Sequence, residues 1–129
     1  MPHLIIDYSA NLEDAVDIAG LCDALRVSAT GLDVFPAAGV RVRAVPAPHF
    51  SIADGDPAHG YIDISVRLRA GREMAVKKAA TQTLFDVARD FIAPVMAERS
   101  IALSFEMRDI DPELSPKTGT TRDHLKDQS

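Results

Sequence analysis

The chain has 129 residues, 47% hydrophobic and 26% charged, the balance of an ordinary soluble globular domain rather than a fibrous or disordered one. Its 14 Lys and Arg against 19 Asp and Glu leave a net charge of −5, and with 5% aromatic residues and no basic block it has no footprint for tracking phosphates or stacking bases, which argues against nucleic acid as a partner. Cys22 stands alone, which excludes an intramolecular disulfide and the CxxC redox and zinc-ribbon patterns, and fits a reducing compartment. A chain of this length buries roughly two-thirds of its unfolded surface, enough for one core without staples. The opening Met-Pro-His-Leu-Ile-Ile-Asp lacks the basic start and long apolar run of a signal peptide, and no stretch approaches the ~20 apolar residues that span a bilayer. A cytoplasmic protein with no membrane partner is expected.

His3 to Tyr8 alternates, with Leu4, Ile6 and Tyr8 on one side and His3, Ile5 and Asp7 on the other, and predicts a strand with one buried face. Asn11 is a candidate cap for a helix from Leu12 to about Ser28, carried by Leu12, Ala15, Val16, Ala19 and Cys22. Gly39 to Val45 reads as a second strand whose Arg41 and Arg43 share a face. Pro46 to Gly60, with Pro46, Pro48, Asp54-Gly55 and Asp56-Pro57, is loop chemistry and too long for a tight hairpin. Tyr61 to Arg69 alternates cleanly, and Glu73 to about Arg99 repeats Ala80, Leu84, Val87, Phe91 and Val95 at helical steps, with Pro94 expected to loosen its last turns. Ile101 to Met107 gives a fourth strand, and from Asp111 the chain is a polar tail, expected to be flexible or docked on a neighbouring subunit.

The order is β-α-β, loop, β-α-β. It predicts an α+β fold: tandem β-α-β units, about 2–46 and 61–108, forming one domain over 1–110 with a four-stranded mixed sheet and two helices on one face, followed by the tail 111–129. The other sheet face then carries His3, Ile5, Asp63, Ser65, Arg67, Arg69, Ala102, Ser104 and Glu106, a surface suited to an oligomer or to solvent, with Arg67 or Arg69 able to pair with Glu106 or Asp63.

No GxSxG, HExxH, P-loop or GxGxxG pattern is present, and His3, His49, His59 and His124 lack metal-ligand spacing, so neither a metal nor a bound cofactor is expected. Gly71-Arg72 before a helix puts backbone N–H groups and a guanidinium at a positive helix end, which suits an anion; a plain turn with a solvated arginine fits the spacing equally well. Pro2 is the most distinctive candidate. A small second residue favours removal of the initiator Met, leaving a secondary amine immediately before a strand that fixes its direction. Burial in an apolar pocket and nearby cations both disfavour a protonated amine, and in such a setting it would be a free base near neutral pH. Arg41, Arg43 and Arg72 are candidate cations, each able to hold a carboxylate by two parallel hydrogen bonds.

Met1-Pro2-His3 before a strand, Phe35-Pro36-Ala37-Ala38-Gly39-Val40-Arg41-Val42-Arg43, Ala53-Asp54-Gly55, Gly71-Arg72 and Ala102-Leu103-Ser104-Phe105-Glu106 occur in that order across residues 2–108. Together they resemble the 5-carboxymethyl-2-hydroxymuconate isomerase family, a branch of the tautomerase superfamily. The resemblance implies a homotrimer of tandem β-α-β units, no cofactor or metal, and a dienol of an unsaturated di- or tricarboxylate as substrate, formed in the homoprotocatechuate route of aromatic degradation. It assigns Pro2 as the base that takes the hydroxyl proton and the acid that returns it to carbon. Arg41 and Arg72, with Arg43 as a further candidate, would hold carboxylates, and His3 and Phe35 are candidate pocket residues. Two other readings fit parts of the pattern: a related tautomerase acting on a smaller enol, and a ferredoxin-like ligand-binding regulatory module, whose second and third strands usually form a hairpin.

Overall fold

Residues 1–126 are described by a computed structural model, in which the four alternating segments form one sheet. The elements are β1 (His3–Ser9), α1 (Ile18–Thr30), β2 (Arg41–Ala47), β3 (Gly60–Arg69), α2 (Met74–Met96) and β4 (Ile101–Ile110). Each helix returns its chain to a parallel neighbour, β1 beside β2 and β3 beside β4, and the two units join antiparallel through β1 and β3. The order β2-β1-β3-β4 separates β2 from β3 and so removes the hairpin of the ferredoxin-like reading. Proline is tolerated at position 46 because β2 is an edge strand, where a missing donor costs no ladder bond.

One sheet face packs under both helices. Leu4, Ile6 and Tyr8 of β1 and Ile62, Ile64, Val66 and Leu68 of β3 meet Leu21 and Leu25 of α1 and Leu84 and Ile92 of α2, all buried. Each such aliphatic side chain contributes about 1.5–3 kcal/mol by leaving water. The buried stripe of α2 is Ala80, Leu84, Ala88 and Ile92, rotated from the expected one, with Val87, Phe91 and Val95 half-buried along its flank. Pro94 lies inside α2, which ends at Met96 rather than Arg99 and closes with Ala97 N–H on the Ala93 carbonyl at 3.1 Å.

The first helix departs most from expectation. Asn11 does not cap it; its side-chain amide donates to the His59 carbonyl at 2.8 Å and fastens the long loop instead. Residues Ala10–Leu12 form a 3₁₀ turn that sends Leu12 into the core, and α1 starts six residues later, capped by Asp17, whose Oδ1 accepts from Gly20 N–H at 3.0 Å. A side chain at position 20 would collide with that carboxylate and lie 3.1 Å from Phe91 of α2, so glycine here serves the cap and the helix crossing. Asp17→Ala is expected to cost about 1 kcal/mol of stability, read as a lower unfolding midpoint at fixed protein concentration.

The loop after β2 is tied to the head of β4 through His59, whose Nδ1 lies 2.7 Å from Ser100 Oγ and whose Nε2 lies 2.8 Å from Asp54 Oδ1. The Asp56 N–H and then the imidazole hold the Asp54 carboxyl below its usual range. Although these are the residue types of a nucleophilic triad, neither of the two cavities described is lined by His59 or Ser100, and the line acts as a clasp.

On the opposite sheet face Glu106 pairs with Arg108 at 2.7 Å and Asp63 accepts from Ser104 at 2.7 Å, so within one protomer neither pairs across strands with Arg67 or Arg69. The described part of the tail folds back on its own chain. It leaves β4 through a short turn at Pro112–Leu114, capped by Asp111, and its Thr121–His124 turn comes to rest against the Ala37–Gly39 turn that precedes β2. In doing so it straps the end of the open face, where Ile110 and the tail line one cavity; residues 127–129 lie outside the described part of the chain. No helix among the described residues is long and apolar enough to cross a membrane.

Candidate active site

The start of β1 is pinned by its neighbour, for Arg41 N–H donates to the Pro2 carbonyl at 3.3 Å. Pro2 is fully buried beneath Met1. Register then sets His3 directly between Arg41 on β2 and Arg67 on β3, and strand alternation turns all three toward the open face. The Ala37–Gly39 turn forms a second wall and the C-terminal strap a third, enclosing a cavity of about 400 Å³.

Charge in this cavity is one-sided. Arg41, Arg67, Lys117 and Arg122 line it, and no Asp or Glu does. Among the described residues no carboxylate lies within ion-pair distance of any of the four. On a chain of net charge −5 such a concentration of unneutralised cations is a site for an anion. The same field acts on the groups inside it. Burial first, then Lys117 and Arg41, push the terminal amino group of Met1 below its ordinary value. Burial, then Arg67, Arg41 and Arg43, lower His3, whose ring is therefore neutral near pH 7. The Arg43 guanidinium lies 3.4 Å from His3 Nδ1, and because it can only donate, Nδ1 is the acceptor and Nε2 carries the hydrogen.

His3 and Arg41 thus line the cavity together, Pro2 lies buried behind the lining with its carbonyl held by Arg41, and Arg43 reaches only the His3 ring, while Arg72 and Phe35 do not join them within one protomer. Arg43 lies one step along β2, outside the cavity lining. Arg72 turns away: its guanidinium donates to the Val34 carbonyl at 3.2 Å and the Arg69 carbonyl at 3.3 Å, bracing the loop that leads to Pro36. Gly71 makes the turn at φ 113°, a backbone region glycine enters without strain. Phe35 is a core residue, and its neighbour Pro36 lines the cavity instead. Sequence reasoning missed Arg67 as a site cation, together with Lys117, Arg122 and Gly39. Alternation did put Arg67 on the face of His3, but only register shows the two opposite each other. Lys117 and Arg122 carried no signal, since nothing local in a polar tail tells where it folds back.

Tandem β-α-β units closing on a cavity at the amino terminus define a protein of the tautomerase fold. The chain superposes on a fused 4-OT symmetric trimer with a TM-score of 0.60 at 19% identity, covering 84% of this chain and 85% of that one, a likeness of fold alone. Within that class the sequence is more specific: residues 2–125 match the 5-carboxymethyl-2-hydroxymuconate isomerase family, and the chain belongs to it and is an isomerase. It is 30% identical over 117 residues to the 5-carboxymethyl-2-hydroxymuconate Delta-isomerase of Escherichia coli, spanning 91% of this chain and 93% of that protein. It also superposes on a crystal structure of a 5-carboxymethyl-2-hydroxymuconate delta-isomerase with a TM-score of 0.90 at 31% identity, covering all of this chain and 95% of that one.

Proposed function

We propose that this isomerase converts the dienol 5-carboxymethyl-2-hydroxymuconate to its conjugated ketone in the cytoplasmic breakdown of homoprotocatechuate, with Pro2 as the proton carrier. The observation that carries the reading is the cavity at the amino terminus, lined by four cations and no acid. With Met1 attached, the Pro2 nitrogen is an amide with no basic lone pair; removal of Met1 leaves a secondary amine in the same field. Burial and the cations that lower the Met1 amine would act on it in the same direction, toward the free base. It takes the proton from the 2-hydroxyl, the O–H electrons form the C2 carbonyl, the double bonds move along the chain, and the resulting ammonium returns the proton to C5. No atom is gained or lost.

Negative charge grows on the C2 oxygen as the hydroxyl proton leaves, and Arg41, fixed beside Pro2 by its own backbone, is suited to stabilise it. Arg67 offers a second carboxylate a donor without moving from the sheet. Arg72 acts in this reading by holding the Val34–Pro36 loop, and Arg43 by fixing the His3 ring. The open sheet face beyond the strap, with Ile5, Ser65 and Ala102, is the surface through which three copies assemble. A mass of three chains by light scattering is expected, and a monomer would remove that part of the reading.

The reaction is tested by following the ultraviolet spectrum of 5-carboxymethyl-2-hydroxymuconate after adding protein whose intact mass shows Met1 removed. Rapid ketonisation is expected. An unchanged spectrum, with smaller enols turned over, would give the site to another tautomerase activity; inertness toward all enols would leave an anion-binding protein.

A further inference from the structure

We propose that the C-terminal strap is a wall of the active site, in which Lys117, assisted by Arg122, holds the substrate carboxylate farthest from the reacting enol. The inference rests on the isomerase reading for the identity of the acid, while the anion subsite itself stands on geometry. Two cations, Arg41 and Arg67, rise from the sheet, and two, Lys117 and Arg122, come from the strap that crosses above it. Both ends of that strap are fastened, one by the Asp111 cap beside Ile110 and the other by the Thr121–His124 turn against Ala37–Gly39. Between them the lining residues Ser115, Thr118 and Gly119 are small, which leaves room for a ligand beside the lysine.

A diacid or triacid reaching from the enol end to the strap meets a cation at each end. A monoacid needs only the sheet pair. The strap is therefore the element that selects for a multiply charged substrate. Lys117 and Arg41 both act on the amino terminus across this cavity. The charged and titratable groups facing that amine are His3 from β1, Arg41 from β2, Arg67 from β3, and Lys117 and Arg122 from the strap; the Ala37–Gly39 turn contributes none. Removing the lysine charge lets the amine keep its proton to a higher pH.

The test uses the full chain with Met1 removed and compares Lys117→Met, which keeps the apolar stem, with Lys117→Arg, which keeps the charge. Adipate, an inert saturated six-carbon diacid, is titrated calorimetrically. Lys117→Met is expected to weaken adipate binding about tenfold and Lys117→Arg to restore it to within about twofold. In turnover, Lys117→Met should raise KM for the tricarboxylate dienol about tenfold with a smaller change in kcat, and shift the acidic limb of kcat/KM toward alkaline pH. Unchanged adipate affinity and an unmoved limb in Lys117→Met would overturn the subsite, as would failure of the wild type to bind adipate. A wild type that binds adipate and loses it in Lys117→Met, yet turns over no dienol, would keep the subsite and overturn the isomerase reading.

Discussion

Replacing Pro2 by alanine is expected to lower turnover by about 10²–10⁴-fold, the contribution a positioned acid and base typically makes. The alanine chain keeps a terminal amine after processing, so the experiment isolates what proline adds. A ring closed on its own nitrogen cannot rotate the lone pair away from the cavity, and the secondary amine is the stronger base. Fusing an uncleavable residue before Pro2 makes the nitrogen an amide and should remove activity altogether, in proportion to the unprocessed fraction seen by intact mass. The pH dependence has a defined sign. The base works unprotonated, so kcat/KM rises with pH through its pKa; burial, Lys117 and Arg41 all push a terminal amine here downward, so the rise is complete at lower pH than for a free amine of the same kind. A Pro2→Ala variant with wild-type rates would take Pro2 out of the mechanism.

Gly39→Ala is expected to lower kcat/KM about 10²-fold while leaving the fold intact. A Cβ built on Gly39 would lie 2.5 Å from the backbone nitrogen and oxygen of Met1, so the two cannot share that volume. Once Met1 is gone, the same volume opens beside the Pro2 nitrogen, where the reacting O–H and C5 must come. An alanine methyl refills it and displaces the substrate by about 1 Å or more, enough for a loss of that size. The unfolding midpoint of the processed variant should correspond to a change within about 0.5 kcal/mol, since the three atoms nearest the added methyl all belong to Met1 and leave with it. Full activity in this variant would show that substrate reaches the nitrogen from another side.

Much of the architecture was legible because its causes are local. The alternation of Leu4, Ile6 and Tyr8, and of Ile62, Ile64, Val66 and Leu68, needs only the two-residue period of a strand against one apolar layer. The start of α1 was misread because the polar side chain of Asn11 has two uses, as a cap or as an anchor for a distant loop, and the His59 carbonyl that decides between them is 48 residues away. Arg72 illustrates the same limit. Its place before a helix suggested an anion site, and within one protomer its guanidinium donates to the Val34 and Arg69 carbonyls, contacts that no local pattern announces.

The sequence by itself determined the pair of β-α-β units, the core face of each strand, and a proline beside the amino terminus at the head of a strand, because periodicity and chain order carry them. Tertiary structure alone decided that β1 runs against β3, which sets His3 between Arg41 and Arg67, and that the tail returns to bring Lys117 and Arg122 over them. Those four cations belong to segments far apart in the chain, and their shared cavity follows from register and from the path of the strap, both set by packing between distant segments rather than by any local pattern.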